Sequence, residues 1–456
     1  MATDEPNTPL AGAGATQAER ADAVATVEER SDKMLRLRSR LFPQALIVGA
    51  MVGVVSVVFR TILETSQAYR TSWLAAHRDL TGLLWIVVAM VLIAIALWLV
   101  RAFCPEAAGS GIPNLKMVLQ GDFRIRWARI LPVKFLSGFL AIASGLALGR
   151  EGPTIQMGAA LGAMFGDLTG RSSEERRALL VTGSGAGLAA AFNAPLAGIL
   201  FVLEELRINM PDSAYFAALV ASITSDIVTR ALMGQMPVIE IGRTPTIPSL
   251  VDLPFFLLLG VIAGLVSSLY NGSLTWLTHK LAFRSNWLQA LKVAVAGVVV
   301  GVVGWIEPHW IGGGDALTDR ALSGNGTIAW LSRTFVVRFF LSVGSYAVGT
   351  AGGIFAPLLA LGGLMGLLLG KLFVGFFPDM PHEPMAFAAA GMAALFAGVV
   401  RCPLAGIVLM IEMTGHYQLV IPLTVTAYTA TFTADQLRIK PVYDALLEDM
   451  LQREKT

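Results

Sequence analysis

Long apolar stretches recur along the chain and predict its architecture. Residues 83–100, 255–269 and 291–305 are largely apolar and approach the roughly 20 residues that a helix needs to cross a bilayer. Other apolar stretches are shorter, longer or rich in glycine, and such broken segments are tolerated in transporters where the backbone lines a cavity. The pattern therefore predicts an all-α, polytopic membrane protein with tilted and partly broken helices.

The composition agrees with this interpretation. Of the 456 residues, 55% are hydrophobic and 14% are charged, as expected of a multi-pass membrane protein. The net charge of +2 does not indicate nucleic-acid binding. Two cysteines, Cys104 and Cys402, are too few for a disulfide framework and lack metal-ligand spacing, so we expect apolar filling residues. The five histidines are scattered, and we expect neither a metal nor a cofactor.

Polar segments flank the apolar part of the chain. Residues 1–34 are predicted to be a polar cytoplasmic tail, residues 35–447 a membrane-embedded domain, and residues 448–456 a short cytoplasmic C-terminal tail. Four basic residues stand just before the first apolar stretch: Lys33, Arg36, Arg38 and Arg40. By the positive-inside rule they place the N-terminus in the cytoplasm.

The sequence repeats itself. The string APLAGI at 194–199 returns as CPLAGI at 402–407, and Pro153 has a counterpart in Pro357 at nearly the same separation. We interpret this as an internal duplication, and duplicated transporter halves are often inverted, with the transport site between them. The two halves cover about residues 42–235 and 250–436.

Glycines follow both of these prolines at four-residue spacing. They are Gly158, Gly162 and Gly166 in the first half, and Gly362, Gly366 and Gly370 in the second. Small residues at this spacing let membrane helices pack closely, so we expect a packing role and no ligand contact.

Three short strings share one spacing of glycine and proline. They are GSGIP at 109–113, GREGP at 149–153 and GIFAP at 353–357. Glycine allows close backbone approach, and proline suits the first turn of a helix. A helix start directs unpaired N–H groups and a partial positive charge at whatever lies before it. Three such starts inside a membrane predict an anion site.

Glu151, inside the second string, is the most informative side chain. An intramembrane carboxylate marks a functional site by default. At a helix start it would be stabilised by the same N–H groups that bind a free anion. It would therefore block the site when ionised and release it when protonated. The structural alternative is an ion pair with Arg150.

Ser110, Glu204 and Glu205 are weaker candidates by themselves. Ser110 is either a hydroxyl donor to the anion or a cap in a turn. Glu204 and Glu205 end the apolar run 189–203, where they either solvate the end of a span or relay protons from the cytoplasm. The second half has one acid, Glu412, at the matching place.

Together and in this order, the three strings resemble those of the CLC family of chloride channels and chloride/proton exchangers. The resemblance covers about residues 42–447 and includes FNAPLAG at 192–198 and KPVY at 440–443. It implies two inverted halves of tilted helices, with one pore per subunit of a homodimer. The expected partners are chloride, protons, membrane lipid and a second copy of the chain.

The resemblance also implies roles for particular residues. Chloride is expected to be bound by the hydroxyls of Ser110 and Tyr443 and by the backbone N–H groups of Ile354 and Phe355. Three acids are expected to act in gating and proton transfer: Glu151 as the external gate, Glu205 as the internal proton acceptor, and Glu204 as an aid to transfer towards Glu205.

Two residues favour one branch of that family. Ser110 favours chloride, because fluoride-exporting relatives depart from serine there, and Glu205 favours an exchanger, because pure channels usually carry a non-acidic residue there. We expect a chloride/proton antiporter, not an enzyme, in a bacterial inner membrane with both termini cytoplasmic. The alternative is a passive voltage- or pH-gated chloride channel of the same fold. One departure is the stretch SYAVGTA at 345–351, which is bulkier than expected and affects access to the site.

Overall fold

The protein is almost entirely helical. The computed structural model describes residues 17–121, 124–206, 210, 212–234, 250–282, 285–377 and 384–454. These residues form seventeen α-helices joined by short turns, and their only β-type pairing is two isolated bridges. The predicted all-α class is confirmed.

The first half contains α1 (Gln17–Ala76), α2 (Leu84–Phe103), α3 (Ile112–Leu119), α4 (Trp127–Ala143), α5 (Glu151–Leu168), α6 (Ser173–Phe192), α7 (Pro195–Phe201) and α8 (Asp212–Met233). The second half contains α9 (Leu253–Lys280), α10 (Asn286–Ile306), α11 (Asp315–Leu322), α12 (Ile328–Ala347), α13 (Phe355–Phe376), α14 (Pro384–Val400), α15 (Pro403–Thr414) and α16 (Val420–Gln436). The last helix is α17 (Val442–Glu454).

The helices at the two chain ends cross the predicted domain boundaries. Helix α1 begins at Gln17 and so includes part of the predicted N-terminal tail, whereas residues 1–16 lie outside the described residues. Helix α17 continues to Glu454, so the predicted boundary after residue 447 falls inside it.

The helices differ greatly in length, as the apolar pattern predicts. Six described segments are long and apolar enough to cross a membrane: Ser39–Ala76, Leu80–Phe103, Asp212–Met233, Leu253–Lys280, Asn286–Ile306 and Phe355–Phe376. By contrast, α3 has eight residues, all buried, and α7 has seven before it passes into a π-helical turn, Val202–Leu206. Such short helices end within the membrane-embedded part of the protein, which is where broken helices are tolerated.

Matching helix pairs pack at the glycines in both halves. A Cβ atom on Gly162 of α5 would lie 2.0 Å from the carbonyl oxygen of Leu179 in α6. A Cβ atom on Gly366 of α13 would lie 2.0 Å from the carbonyl oxygen of Phe387 in α14. Only glycine permits such backbone contact, so the predicted packing role of these glycines is confirmed. The same contact at matching positions also supports the internal duplication.

Candidate functional site

The three glycine–proline strings meet in the interior of the protein. Gly109 donates to the carbonyl of Thr350 at 2.9 Å and accepts from the amide of Gly352 at 2.9 Å. Gly149 and Gly353 exchange two backbone hydrogen bonds of 2.7 and 2.8 Å. Helices α3, α5 and α13 begin within these strings, at Ile112, Glu151 and Phe355. The structure therefore brings three helix starts together, as the sequence pattern predicts.

Close backbone contact at this meeting point requires glycine. A Cβ atom on Gly353 would lie 2.9 Å from the amide nitrogen of Gly152. A Cβ atom on Gly152 would lie 2.9 Å from the Cα atom of Ser110. Any side chain at either position would push the helix starts apart, because these distances are shorter than van der Waals contact.

Glu151 is the first residue of α5, and its carboxylate faces the start of α13. The residue is 1% exposed, and its Oε2 atom accepts a hydrogen bond of 3.4 Å from the amide of Ala356. Arg150 does not hold this carboxylate by an ion pair, because its guanidinium pairs with Glu64 at 3.1 Å. The contact of this carboxylate with the start of α13 is thus one long hydrogen bond.

A cavity of about 410 Å³ lies beside this carboxylate. Its lining includes Ala356, whose amide contacts Glu151, together with charged residues of both signs. These charged residues are Arg60, Glu64, Arg150, Asp315 and Asp319. The start of α13 therefore borders both this cavity and the Glu151 carboxylate of the second string.

Ser110, in the first string, is fully buried where that string contacts Gly152 of the second. Its Oγ atom accepts a hydrogen bond of 3.3 Å from the amide of Ile112, so the residue does cap the turn before α3. Its own amide donates to the hydroxyl of Tyr346 at 3.4 Å. The cap uses the oxygen as an acceptor, so the hydroxyl proton can be donated to a second partner, and the Tyr346 hydroxyl is one neighbour of the Ser110 side chain.

The side chain of Tyr443 is buried beside the start of α13. It is fully buried, and its hydroxyl has no hydrogen-bond partner among the described residues. Its ring stacks on Phe355 at a centroid distance of 6.3 Å, which brings it to the start of α13. Ile354 and Phe355 are also fully buried there. A buried hydroxyl without a partner is costly, so a ligand at this point would satisfy it.

Glu205 lies in a separate buried cluster with one cation. It is 3% exposed, and its Oε1 atom forms an ion pair of 2.8 Å with the ammonium of Lys116 in α3. The same ammonium pairs with Asp444 of α17, whose side chain is 42% exposed. Lys116 therefore links a buried carboxylate to one that reaches the surface.

Glu204 points in a different direction from Glu205. Its two carboxylate oxygens accept hydrogen bonds from Leu404 and Ala405 at the start of α15, at 3.1 and 2.7 Å. Glu412 of α15 makes the reciprocal contact, accepting from Leu196 and Ala197 at the start of α7, at 3.0 and 2.8 Å. Each half of the chain thus caps a helix of the other half.

Both cysteines contact carboxylates. The thiol of Cys402 donates to Oε2 of Glu205 at 3.2 Å, and that of Cys104 donates to Oε2 of Glu106 at 3.1 Å. They are buried as expected, but they also contribute hydrogen bonds. Within the described ranges, no group of three or more His, Cys, Asp or Glu side chains has a metal-binding arrangement.

Two residues at the site escaped the sequence-based prediction. Lys116 stands in an apolar string, and a charge there was a signal that was not used. Tyr346 was noted only as part of a bulky stretch, yet its hydroxyl contacts the amide of Ser110. The spacing of residues along the chain does not predict either contact. Lys116 and its partner Glu205 are 89 positions apart, and Tyr346 and Ser110 are 236 positions apart.

The fold and the buried site define a membrane protein built to pass anions. The sequence model of the family described as "Voltage gated chloride channel" matches residues 92–435. The H(+)/Cl(-) exchange transporter ClcA of Salmonella newport (strain SL254) is 39% identical over 444 residues, which cover 93% of each chain. This chain belongs to the voltage gated chloride channel family, the CLC family.

Solved structures agree with this assignment. The crystal structure of a slow cyanobacterial Cl-/H+ antiporter superposes with a TM-score of 0.87 at 33% identity, covering 91% of this chain and 99% of that chain. A eukaryotic CLC transporter superposes with a TM-score of 0.77 at 21% identity, covering 91% of this chain and 75% of that one, which indicates the same fold.

Proposed function

We propose that this chain is a chloride/proton antiporter in which a glutamate and chloride compete for one site. The observation that carries the proposal is the position of Glu151. Its buried carboxylate faces the start of α13 and accepts one 3.4 Å hydrogen bond from Ala356. A chloride ion would be stabilised by the same partial positive charge, so the two anions exclude each other there.

Chloride in this proposal is bound by partial charges alone. The ligands are the hydroxyls of Ser110 and Tyr443 and the amides of Ile354 and Phe355. The unpartnered hydroxyl of Tyr443 and its contact with Phe355 support this set. Ligands with partial charges bind an anion less tightly than a full counter-charge would, so chloride can also leave the site.

Proton binding to Glu151 opens the site. The ionised carboxylate is stabilised at the start of α13, whereas the neutral acid loses most of that attraction and leaves. Chloride then enters from the polar cavity beside Ala356. One proton bound to one carboxylate thereby couples the two fluxes.

Protons reach the site from the other side through Glu205. The chain of contacts from Asp444 through Lys116 to Glu205 leads from a half-exposed carboxylate to a buried one and supports this route. The ion pair with Lys116 offsets part of the cost of burying the ionised carboxylate of Glu205. Glu204, the neighbouring acid, aids transfer in the proposal while its carboxylate caps α15.

The proposed setting is a bacterial inner membrane, with both chain ends in the cytoplasm and the protein assembled as a homodimer with one pore per subunit. Four basic residues before the first span support the orientation. Large apolar side chains are exposed on α7, α8, α15 and α16, and they suit contact with lipid or with a second copy. Chemical cross-linking of the membrane-embedded protein tests the dimer, and recovery of monomer alone would refute it.

Flux measurements on purified protein in liposomes test the proposed function. A chloride gradient should drive proton movement in the opposite direction, recorded as a pH change outside the liposomes. Glu151→Ala should retain chloride flux and abolish coupled proton flux, while Glu205→Gln should impair proton flux first. Chloride movement without coupled proton movement in the unaltered protein would refute antiport and leave a passive channel.

A further inference from the structure

An apolar groove and a basic cavity adjoin each other, and the cavity also reaches Ala108 and Gly349, next to the contact between Gly109 and Thr350. The groove lies between α2 and α10 and has a volume of about 640 Å³. The cavity, of about 990 Å³, also involves the ends of α9 and α17. Both are lined by Leu97, Arg101 and Gln289, so the groove and the cavity lie next to each other.

The groove has the character of an acyl-chain site. Its walls include Met90, Val91 and Ala94 of α2, and Val293 and Ala294 of α10. It opens on the outer surface of two helices that are apolar enough to cross a membrane. Its contents are therefore drawn from the hydrocarbon region of the bilayer.

The cavity is basic. Arg101, Lys292, Arg453 and His279 all line it. Two of these residues contact an acid: Asp449 pairs with Arg453 and accepts a hydrogen bond from His279 at 2.8 Å. Arg101 and Lys292 have no acidic partner among the described residues, and the Lys292 ammonium donates to the carbonyl of Leu281 at 3.3 Å. Two positive charges thus remain uncompensated inside the cavity.

Tryptophans place this cavity at the membrane surface. Trp98 lies near the end of α2 and lines the groove, and Trp287 lies at the start of α10; they are 57% and 66% exposed. Exposed tryptophans concentrate at the level of the lipid headgroups. Trp98 lines the groove next to this cavity, so we place the positive charges of the cavity at the depth of the lipid phosphates.

We propose that this composite site binds one anionic phospholipid, with an acyl chain in the α2–α10 groove and the phosphate beside Arg101 and Lys292. Guanidinium and ammonium groups are the usual ligands of phosphate. Basic residues at this depth are attracted to anionic lipids of the cytoplasmic leaflet. The apolar groove distinguishes a lipid from a free phosphate, because only a lipid would fill both parts. The proposal rests on the proposed membrane orientation but not on the proposed transport mechanism.

Native mass spectrometry of the delipidated full-length protein tests the proposal. The protein is titrated with phosphatidylglycerol or with phosphatidylcholine of the same acyl chains. We expect one tightly held phosphatidylglycerol per chain and clearly weaker retention of phosphatidylcholine. Arg101→Gln and Lys292→Gln should each weaken phosphatidylglycerol binding about fivefold, the size expected for one charge at the membrane surface. Lys280→Gln, an exposed charge at the end of α9 outside the cavity lining, is the matched control and should leave binding unchanged.

A variant of the groove tests whether an acyl chain contributes to binding in addition to the positive charges. Ala94→Trp fills the groove while every positive charge of the cavity stays in place, and it should also weaken phosphatidylglycerol binding. Inorganic phosphate at millimolar concentration should not displace the lipid. The proposal would be overturned if both lipids were retained equally, or if Arg101→Gln/Lys292→Gln bound phosphatidylglycerol as the unaltered protein does. It would also be overturned if phosphate displaced the lipid and Ala94→Trp had no effect on binding.

Discussion

Two carboxylates of the first half face helix starts of the second half, and they are held very differently. Glu204 receives two short hydrogen bonds, of 2.7 and 3.1 Å, from the start of α15. Glu151 receives one hydrogen bond of 3.4 Å from the start of α13. Hydrogen bonds to a charged group contribute about 1.5–3 kcal/mol each when their geometry is good. Glu204 is thus fixed in place, whereas Glu151 is loosely held.

The internal duplication makes this difference sharper. Glu204 has a counterpart, Glu412, which caps α7 in return. Glu151 has none, because the position matched to it through Pro153 and Pro357 is Phe355. The contact that is duplicated joins the two halves, and the contact that is not duplicated lies at the proposed anion site. The capping carboxylates are thus present in both halves, whereas the carboxylate that is proposed to move is present in one.

The largest expected effect comes from removing the loosely held carboxylate. Glu151→Ala should reduce coupled proton flux in liposomes to the level of protein-free liposomes, while chloride flux continues. The reason is that the helix start of α13 stays in place for chloride, but no group remains to exchange a proton for it. Loss of chloride flux together with proton flux would contradict the proposed competition.

The next effect concerns the buried ion pair of Lys116 and Glu205. Lys116→Met would leave Glu205 buried without its cation, which costs about 3–5 kcal/mol of unfolding free energy. The double variant Lys116→Met/Glu205→Gln should recover most of this loss, because neither charge remains. Denaturant titration in detergent measures both. The loss of unfolding free energy in the double variant could instead equal the sum of the losses in Lys116→Met and Glu205→Gln. That result would show that the two side chains do not interact, contrary to their 2.8 Å distance.

A smaller effect is expected from the two reciprocal caps. Glu204→Gln and Glu412→Gln should each lower the free energy of unfolding by about 1–2 kcal/mol, as is usual for a weakened helix cap. Glu412 serves as a matched control for proton transfer, since its cap is equivalent and it lies in the other half. Equal stability losses with proton coupling intact in both would assign Glu204 to structure. Loss of coupling in Glu204→Gln alone would assign it to proton transfer.

The smallest effect is expected at the hydroxyl beside Ser110. Tyr346→Phe removes the acceptor for the Ser110 amide and should weaken apparent chloride affinity about fivefold, for about 1 kcal/mol of hydrogen bonding. Isothermal titration with chloride measures this change. Tyr270→Phe is a comparison variant, because its buried hydroxyl contacts Ser342 instead. If Tyr346→Phe and Tyr270→Phe had the same apparent chloride affinity, the Tyr346 hydroxyl would have no specific role in anion binding.

Much of the fold and part of the site follow from local sequence. Apolar run lengths predict spanning and broken helices, and the glycine–proline strings predict helix starts, because both depend on neighbouring residues. That residues 109–113 and 353–357 lie close together is not a local property, and predicting it also needs the internal duplication of the chain. Glu151 was identifiable because a lone carboxylate in an apolar segment needs a reason.

The contacts between distant side chains could not be predicted in this way. The caps by Glu204 and Glu412 depend on how α7 and α15 approach each other, and spacing along the chain does not specify that approach. Two adjacent acids at a helix end look alike in sequence, yet Glu204 turns to α15 and Glu205 to Lys116. The π-helical turn over Val202–Leu206 is where their directions diverge.

The reversal potential of the protein in a planar bilayer tests most directly whether Glu151 exchanges protons for chloride. With a chloride gradient fixed, a pH gradient should shift the reversal potential of the unaltered protein and leave that of Glu151→Ala at the chloride value. A reversal potential set by chloride alone in the unaltered protein would contradict the account, as would a pH-dependent shift that persists in Glu151→Ala.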